Sequence, residues 1–256
     1  MKTALITGAS SGIGREIALV LAENNYRPIL VARRETLLDM IADEIKTNYN
    51  LDPIVIPMSL SKKDSAERLF ERIQKENIHI DILVNNAGIG DYGAFSLEEI
   101  SKIEIMMTLN MLTLTKLSRL FAPLMIEKGF GHILNIASTA AFQPVPNFAV
   151  YAATKAYVLQ FSEAIAYELK PFGVYVTAVC PGATRSEFQD TAGMEDNKKL
   201  FSRAPLAFLV ADFAYEAMIK KKTIAIYGSK NRFLSFMQRF SPRKLTTKVA
   251  ASMMKA

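Results

Sequence analysis

Lys2-Thr3-Ala4-Leu5-Ile6-Thr7-Gly8-Ala9-Ser10-Ser11-Gly12-Ile13-Gly14 is the stretch on which the fold turns. Its first six residues read as a short buried strand, and an amphipathic run over residues 15–24 reads as a helix. Three glycines stand between them in the spacing G-x-x-x-G-x-G. A glycine-rich turn between strand and helix lets backbone N–H groups approach a pyrophosphate at the helix N-terminus. The spacing differs from G-x-G-x-x-G, yet the physical role would be the same. A purely structural turn is the competing reading.

The pattern then repeats. Arg27-Pro28-Ile29-Leu30-Val31-Ala32 reads as a second strand, and Arg33-Arg34-Glu35 opens a helix to about residue 47. Residues 54–57 form a third strand and residues 62–76 a charged amphipathic helix. Residues 80–84 form a fourth strand, ending in Asn85-Asn86-Ala87-Gly88. A long helical pattern starts at Ser96, with Glu98 and Glu99 in its first turn. A fifth strand covers 131–137, a helix 148–170 and a sixth strand 173–180, closed by Pro181-Gly182. Residues 222–226 are a candidate seventh. Strand and helix alternate throughout, which argues for βαβ units and a parallel sheet. Ligands bind outside the carboxyl ends of such strands, so the Asn85–Gly88 turn shares a rim with the first glycine-rich loop.

Composition narrows the chemistry. The chain has 256 residues, one cysteine (Cys180) and two histidines (His79 and His132). That excludes an intrachain disulfide and a thiolate metal cluster, and with no paired His/Cys spacing no metal site is expected. No G-x-S-x-G elbow occurs. His132, at the start of a strand, is read as structural, and Cys180 as a small buried hydrophobe. The opening residues lack the apolar length of a signal-peptide core, and no apolar run is long enough to span a membrane. A cytoplasmic, soluble enzyme is the expectation. Of the 31 Lys/Arg, ten lie from Ala217 onward with no acid among them, which leaves 21 basic against 25 acidic residues before that point. The basic character belongs to the tail, and no nucleic-acid partner is inferred from it.

Tyr151-Ala152-Ala153-Thr154-Lys155 carries the candidate chemistry. Four residues is about one helical turn, so Tyr151 and Lys155 share a face. Of nine tyrosines, this one alone has Lys four residues later. An ammonium beside a phenol favours the phenolate. Bringing a phenol from about 10 to near neutrality takes roughly 4 kcal/mol. A phenol so tuned protonates a carbonyl oxygen or deprotonates an alcohol. The bland alternative is a Tyr and a solvated Lys on an ordinary amphipathic helix. Ala32 and Arg33 stand where dinucleotide folds read the adenosine ribose, and Arg34 adds charge beside them. An acid there binds ribose hydroxyls, whereas Arg suits the 2′-phosphate of NADP. Asn110, deep in the apolar run Met106–Leu112, needs polar partners.

Together these residues resemble the short-chain dehydrogenase/reductase family, in its NADP-preferring branch. The resemblance rests on Thr7–Gly14, Asn85-Asn86-Ala87-Gly88, Asn110, Ser138, Tyr151–Lys155 and Pro181-Gly182, in the family's order, and runs to about residue 226. It implies an α/β, doubly wound Rossmann-type parallel sheet of about seven strands with helices on both faces. It implies hydride transfer between NADP(H) and a carbonyl or alcohol substrate. Tyr151 would be the general acid/base. Lys155 would lower its pKa and bind the nicotinamide ribose, Ser138 would bond the substrate oxygen, and Asn110 would hold a water in the proton relay. Cofactor contacts would come from Gly8, Ser10, Ser11, Gly12, Ile13, Gly14, Arg33, Arg34, Ser59, Leu60, Asn86, Ala87, Gly88, Tyr151, Lys155, Pro181, Gly182 and Thr184. The family often has an acid where Ser59 stands, and usually Thr where Ser186 stands. Homodimers or homotetramers through the helices around 98–126 and 150–169 are also implied. A non-catalytic NADP-binding regulator, or a dehydration or epimerisation on the same scaffold, are the alternatives.

Residues 1–228 then form the catalytic domain and 229–256 a basic helical extension. Substrate selection is expected from residues 89–95, from 139–146 including Phe142, and from 183–206 with Phe188, Met194 and Phe201. In the extension, Phe233, Phe236, Met237 and Phe240 form a helical stripe. Ser241 and Pro242 read as N-cap and N1 of a last helix, with Leu245, Val249 and Met253 along one side. The stripe is open to three readings: closing the substrate pocket or packing on the body, pairing with another subunit, or peripheral contact with an anionic membrane surface.

Overall fold

A computed structural model describes residues 1–195, 197, 201, 202 and 204–254. Seven parallel strands form one sheet in the order β3-β2-β1-β4-β5-β6-β7. They are β1 Lys2–Thr7, β2 Tyr26–Ala32, β3 Ile54–Pro57, β4 Ile82–Asn85, β5 Gly131–Ile136, β6 Val174–Cys180 and β7 Ile224–Ile226. β1 pairs with β2 in the register Leu5↔Ile29 and with β4 in the register Leu5↔Leu83. The chain winds outward from β1 to β3, then crosses back to β4 and winds the other way. That reversal opens a crevice at the carboxyl ends of β1 and β4.

Helices cover both faces because the strands are apolar on both. On one face α1 (Gly12–Glu23), α2 (Glu35–Tyr49) and α8 (Ala207–Ile219) present Ile17, Leu21, Leu38, Ile45 and Met218 to Ile6, Leu30 and Val84. On the other, α3 (Ser65–Lys75), α5 (Leu114–Lys128) and α6 (Ala149–Leu169) present Leu69, Ile73, Phe121, Met125 and Ala166 to Leu5, Ile29 and Ile133. Phe70 packs edge-on against Phe121, centroids 5.2 Å apart. Among the described residues no helix is long and apolar enough to cross a membrane.

Some boundaries move from the sequence expectation. α2 begins at Glu35, after Arg33 and Arg34. α3 starts at Ser65 because Asp64 is left-handed (φ 56°). The helix expected from Ser96 is broken. Phe95–Leu97 is a single 3₁₀ turn, Glu98 and Glu99 are extended, and α4 (Ile100–Met107) follows. Thr108–Thr113 then widens into a π turn before α5. After the short helix α7 (Phe188–Thr191) and β7, the chain ends in α9 (Ser229–Met237), a 3₁₀ turn Gln238–Phe240 and α10 (Arg243–Met254). α10 starts one residue later than expected. The Pro242 carbonyl accepts its first bonds, and the Ser241 hydroxyl donates to Met237 O (3.2 Å) instead of capping.

The tail stripe is a larger correction. Phe233, Phe236, Met237 and Phe240 do not pack on the body. They are exposed, as are Leu245, Val249 and Met253 on α10. Ser235, Ala250 and Met254 are the buried positions.

Candidate active site

The crevice is a cleft of about 460 Å³ bordered by the loops after β1, β2, β3, β4, β5 and β6. Sequence makes these loops converge, because each apolar strand ends at the same height and gives way to small or polar residues. Thr7 ties the loops after β1 and β4 together. Its hydroxyl donates to Val84 O (3.1 Å) and accepts the N–H groups of Asn86 (3.0 Å) and Ala87 (3.1 Å). The Asn86 side chain returns two bonds, to Thr7 O (3.0 Å) and Gly8 O (3.1 Å). Gly8 is left-handed (φ +67°), and a Cβ there would lie 2.8 Å from Asn86 Nδ2. The backbones are therefore as close as they can be.

Gly8, Ser10, Ser11, Gly12 and Ile13 line the end of the cleft at the start of α1, where Ser11 makes no capping bond and no acid stands in the first turn. First-turn amides without a side-chain cap fit a phosphate. Gly14 does not line the cleft. It faces inward, where a Cβ would stand 2.3 Å from Gly8 O and from Asn86 Nδ2, so it packs helix against loop. Ser59 and Leu60 line the wall beyond β3, and Asn86, Ala87 and Gly88 the wall beyond β4. Pro181, Gly182 and Thr184 line the wall beyond β6.

Arg33 and Arg34 both border the cleft, in different circumstances. Arg34 donates to Ser10 Oγ (3.2 Å) and to Glu187 Oε2 (2.7 Å). Arg33 has no ion pair among the described residues. Glu187 was not foreseen. Arg34 holds its carboxyl below the usual carboxylate range, with Ser11 adding to the effect and burial opposing it. A carboxylate thus stands at the start of α1, beside Ser10 and Ser11. Unpaired guanidinium and open amides together fit a dinucleotide bearing an extra phosphate.

The back wall carries Ser138, Tyr151 and Lys155, all buried and all bordering the cleft. Ser138 stands two residues beyond β5, its Oγ accepting the Ala140 N–H at 3.1 Å. The Tyr151 hydroxyl is near enough for Ser138 to favour its phenolate form. Lys155 donates to Ile136 O at 2.7 Å and its Nζ lies 5.6 Å from the Tyr151 ring centroid. The expected depression of the Tyr151 pKa is not found. Burial pushes the phenol up to about 12, with Ser138 opposing, and burial pushes Lys155 down to about 8. Desolvation of the phenolate outweighs the nearby ammonium. Cys180, close to Lys155, is buried, and burial pushes its thiol up to about 12.

Asn110 sits in the π turn, buried, and does not border the cleft. Its Oδ1 accepts the Ile89 N–H (3.0 Å), while its Nδ2 donates to Ile89 O (2.9 Å) and Thr154 Oγ1 (3.0 Å). Both ends of its amide are thus spent on clamping the loop after β4 to α6. π turns recur at functional sites because they re-aim side chains within a helix.

The remaining half of the cleft is apolar. Phe148 stacks on Tyr151 with centroids 4.3 Å apart, and Phe188 approaches it at 5.4 Å. Met194, Phe201, Ala250, Met253 and Met254 complete this half, and the Tyr92 hydroxyl donates to Met254 O. Phe188, Met194 and Phe201 are where the sequence placed them. Phe142 is not, as it packs with the cluster around Val158 and Leu159. Residues 196, 198–200 and 203 of the third expected segment lie outside the described residues. Ala250 and Met254 were missed because they lie to one side of the stripe that periodicity picked out, of which only Met253 borders the cleft.

The family model described as short chain dehydrogenase matches residues 2–197. The very-long-chain 3-oxoacyl-CoA reductase of Pyrenophora tritici-repentis is 33% identical over 211 residues, 80% of this chain and 62% of that protein. The ketoacyl reductase HetN of Nostoc is 35% identical over 71% of this chain and 63% of its own length. The chain thus spans about three-fifths of these curated relatives. A short-chain dehydrogenase from Sphingobium yanoikuyae, solved in complex with NADPH, superposes with TM-score 0.84 at 32% identity over 94% of both chains. A bulky-bulky ketone specific alcohol dehydrogenase from Comamonas testosteroni superposes with TM-score 0.80 at 31% identity, over 94% of this chain and 92% of that one. With these matches added to the sheet order and the convergent Ser138, Tyr151 and Lys155, the chain belongs to the short-chain dehydrogenase family.

Proposed function

We propose that the protein is an NADP(H)-dependent carbonyl reductase, reversible as an alcohol dehydrogenase, acting on a bulky apolar substrate. The observation that carries the reading is the Ser138–Tyr151 hydroxyl pair facing the cleft with Lys155 behind it. A reduced nicotinamide, when bound, supplies the hydride. Gly8–Ile13, Asn86–Gly88 and Pro181–Thr184 would hold the dinucleotide, with Arg33 at the 2′-phosphate. The Sphingobium relative solved with NADPH supports that preference.

The chain's own part is proton chemistry. Tyr151, raised to about 12, keeps its proton at neutral pH and so is ready to give it to a carbonyl oxygen. Ser138 orients that oxygen and donates to it as negative charge develops. Lys155, charged below about 8, stabilises the phenolate that remains. Asn110 fixes the loop and helix that bring these groups together. Phe148, Phe188, Met194 and Met254 offer a wall suited to large apolar groups, in keeping with the acyl and bulky-ketone substrates named for the relatives.

NADPH oxidation against a panel of small and bulky ketones and 3-oxoacyl thioesters tests the reading, with Tyr151→Phe in parallel. Loss of a general acid lowers kcat by about 10²- to 10⁴-fold. NADPH affinity is expected to persist. Equal turnover by the variant would overturn the assignment of Tyr151.

A further inference from the structure

α9 is amphipathic in the reverse of the usual sense. Asn231 and Ser235 of α9 and Gln238 just beyond it, spaced i, i+4, i+7, face the body. Asn231 donates to Tyr227 O (2.9 Å), Ser235 is buried and Gln238 donates to Gln143 Oε1 (2.7 Å). At 100° per residue the opposite side carries Phe233, Phe236, Met237 and Phe240. Phe233 is 62% exposed and Phe240 70%, while Phe236 and Phe240 meet edge-on at 5.3 Å. A surface helix ordinarily buries its apolar stripe. A contiguous exposed aromatic strip marks a surface that meets something else.

The charges bordering the strip identify the partner. Lys230 lies along one edge, Arg232 and Arg239 along the other, all exposed. α10 continues the pattern, with Leu245, Val249 and Met253 exposed and Lys244 and Lys248 beside them. Residues 229–256 contain seven Lys/Arg and no acid. Two such faces would repel, which argues against a second copy of the chain. Aromatic residues between rows of cations, with no acid, match an anionic lipid surface, where the rings enter the headgroup boundary and the cations meet phosphates. Met253 belongs to both this surface and the cleft, so the strip runs to the mouth of the site.

We propose that the outer face of α9 and α10 docks on an anionic membrane surface with the cleft mouth beside the bilayer. A lipophilic carbonyl compound would then reach Tyr151 along an apolar path. That consequence rests on the reductase reading, whereas the docking itself does not.

Flotation of the full-length chain with phosphatidylcholine vesicles, with and without phosphatidylglycerol, tests the docking independently of turnover. The chain is expected to float with the phosphatidylglycerol vesicles only, and to be released by high salt. Each surface cation contributes about fivefold, so Lys230→Glu/Arg232→Glu/Arg239→Glu lowers partitioning by roughly a hundredfold or more. Phe233→Ser/Phe236→Ser/Phe240→Ser is expected to abolish flotation while keeping the wild-type melting temperature and NADPH affinity. The docking is wrong if the wild-type chain stays soluble at low salt, or if the serine variant floats equally well. Sedimentation without lipid covers the remaining case. A wild-type dimer that the serine variant splits, with no flotation by either, assigns the strip to a second copy and overturns the proposal.

Discussion

The two ends of the sheet both bury titratable side chains, and only one of them is a candidate for chemistry. At the amino end the buried Asp81 carboxylate accepts the Thr3 N–H and the Lys128 ammonium, each at 2.8 Å. His132 is packed between Phe130 and Tyr175, and its pKa is pushed down to about 4 by burial, with Lys221 and Lys2 adding to it. These groups are turned on neighbouring elements, and they seal the strand starts. At the carboxyl end Tyr151 and Lys155 are as deeply buried, yet their polar atoms border an open cleft. Burial and a displaced pKa therefore do not distinguish a working group from a structural one. What distinguishes them is whether the side chain is closed in by packed neighbours, as His132 is even with its Nδ1 unpartnered, or borders space for a reactant.

Substitutions at each end can break that contrast. The largest effect is expected from Gly14→Ala, because the new Cβ would press on Gly8 O, a backbone atom that cannot yield cheaply. A loss of roughly 3 kcal/mol in urea unfolding is expected. NADPH affinity should fall with it, and wild-type values for both would show that the loop is looser than described. Next is the amino end. His132 titrates near 6.5 when unfolded and near 4 when folded, so between those values the unfolded chain holds the extra proton. Stability is then complete above about 6.5 and falls as pH drops toward 4. About 2 kcal/mol should be lost between pH 7 and pH 5. His132→Gln should flatten that slope and leave kcat at pH 7 unchanged, and an altered kcat would join the two ends energetically.

Smaller effects sharpen the cofactor half. Arg33→Asp is expected to reduce the preference for NADPH over NADH by roughly tenfold, the scale of one charge-assisted contact. An unchanged ratio of kcat/KM values would remove Arg33 from the 2′-phosphate. Glu187→Gln should release Arg34 and tighten NADPH binding about threefold, since a half-exposed pair is worth less than about 1 kcal/mol. Weaker binding in titration calorimetry would mean that the carboxylate positions Arg34 instead of competing for it.

The parts of this arrangement that were readable in the sequence have a local cause. An apolar run ending in glycine marks β1 and its loop, and a four-residue spacing puts Tyr151 and Lys155 on one face. Asn110 stood out as a polar residue in apolar company, and it does have the partners such a residue needs. Its π turn was not readable, because the widening answers to Ile89 and Thr154, residues distant in sequence. The same applies to the tail. Periodicity revealed a stripe at Phe233–Phe240, but which side meets the body depends on Gln143 and Tyr227, so the direction was open. Glu187 carries no local signal, and its meaning comes from Arg34, 153 residues away.

The Thr7 hydroxyl is bonded to residues 77 to 80 positions downstream, although its loop looks like a local motif. A nascent chain cannot complete that loop until β4 has emerged and reached β1, and pairings of such sequence separation form slowly. The glycine-rich turn should thus be a late event of folding, and its amides should stay open to hydrogen exchange until β1 and β4 have joined.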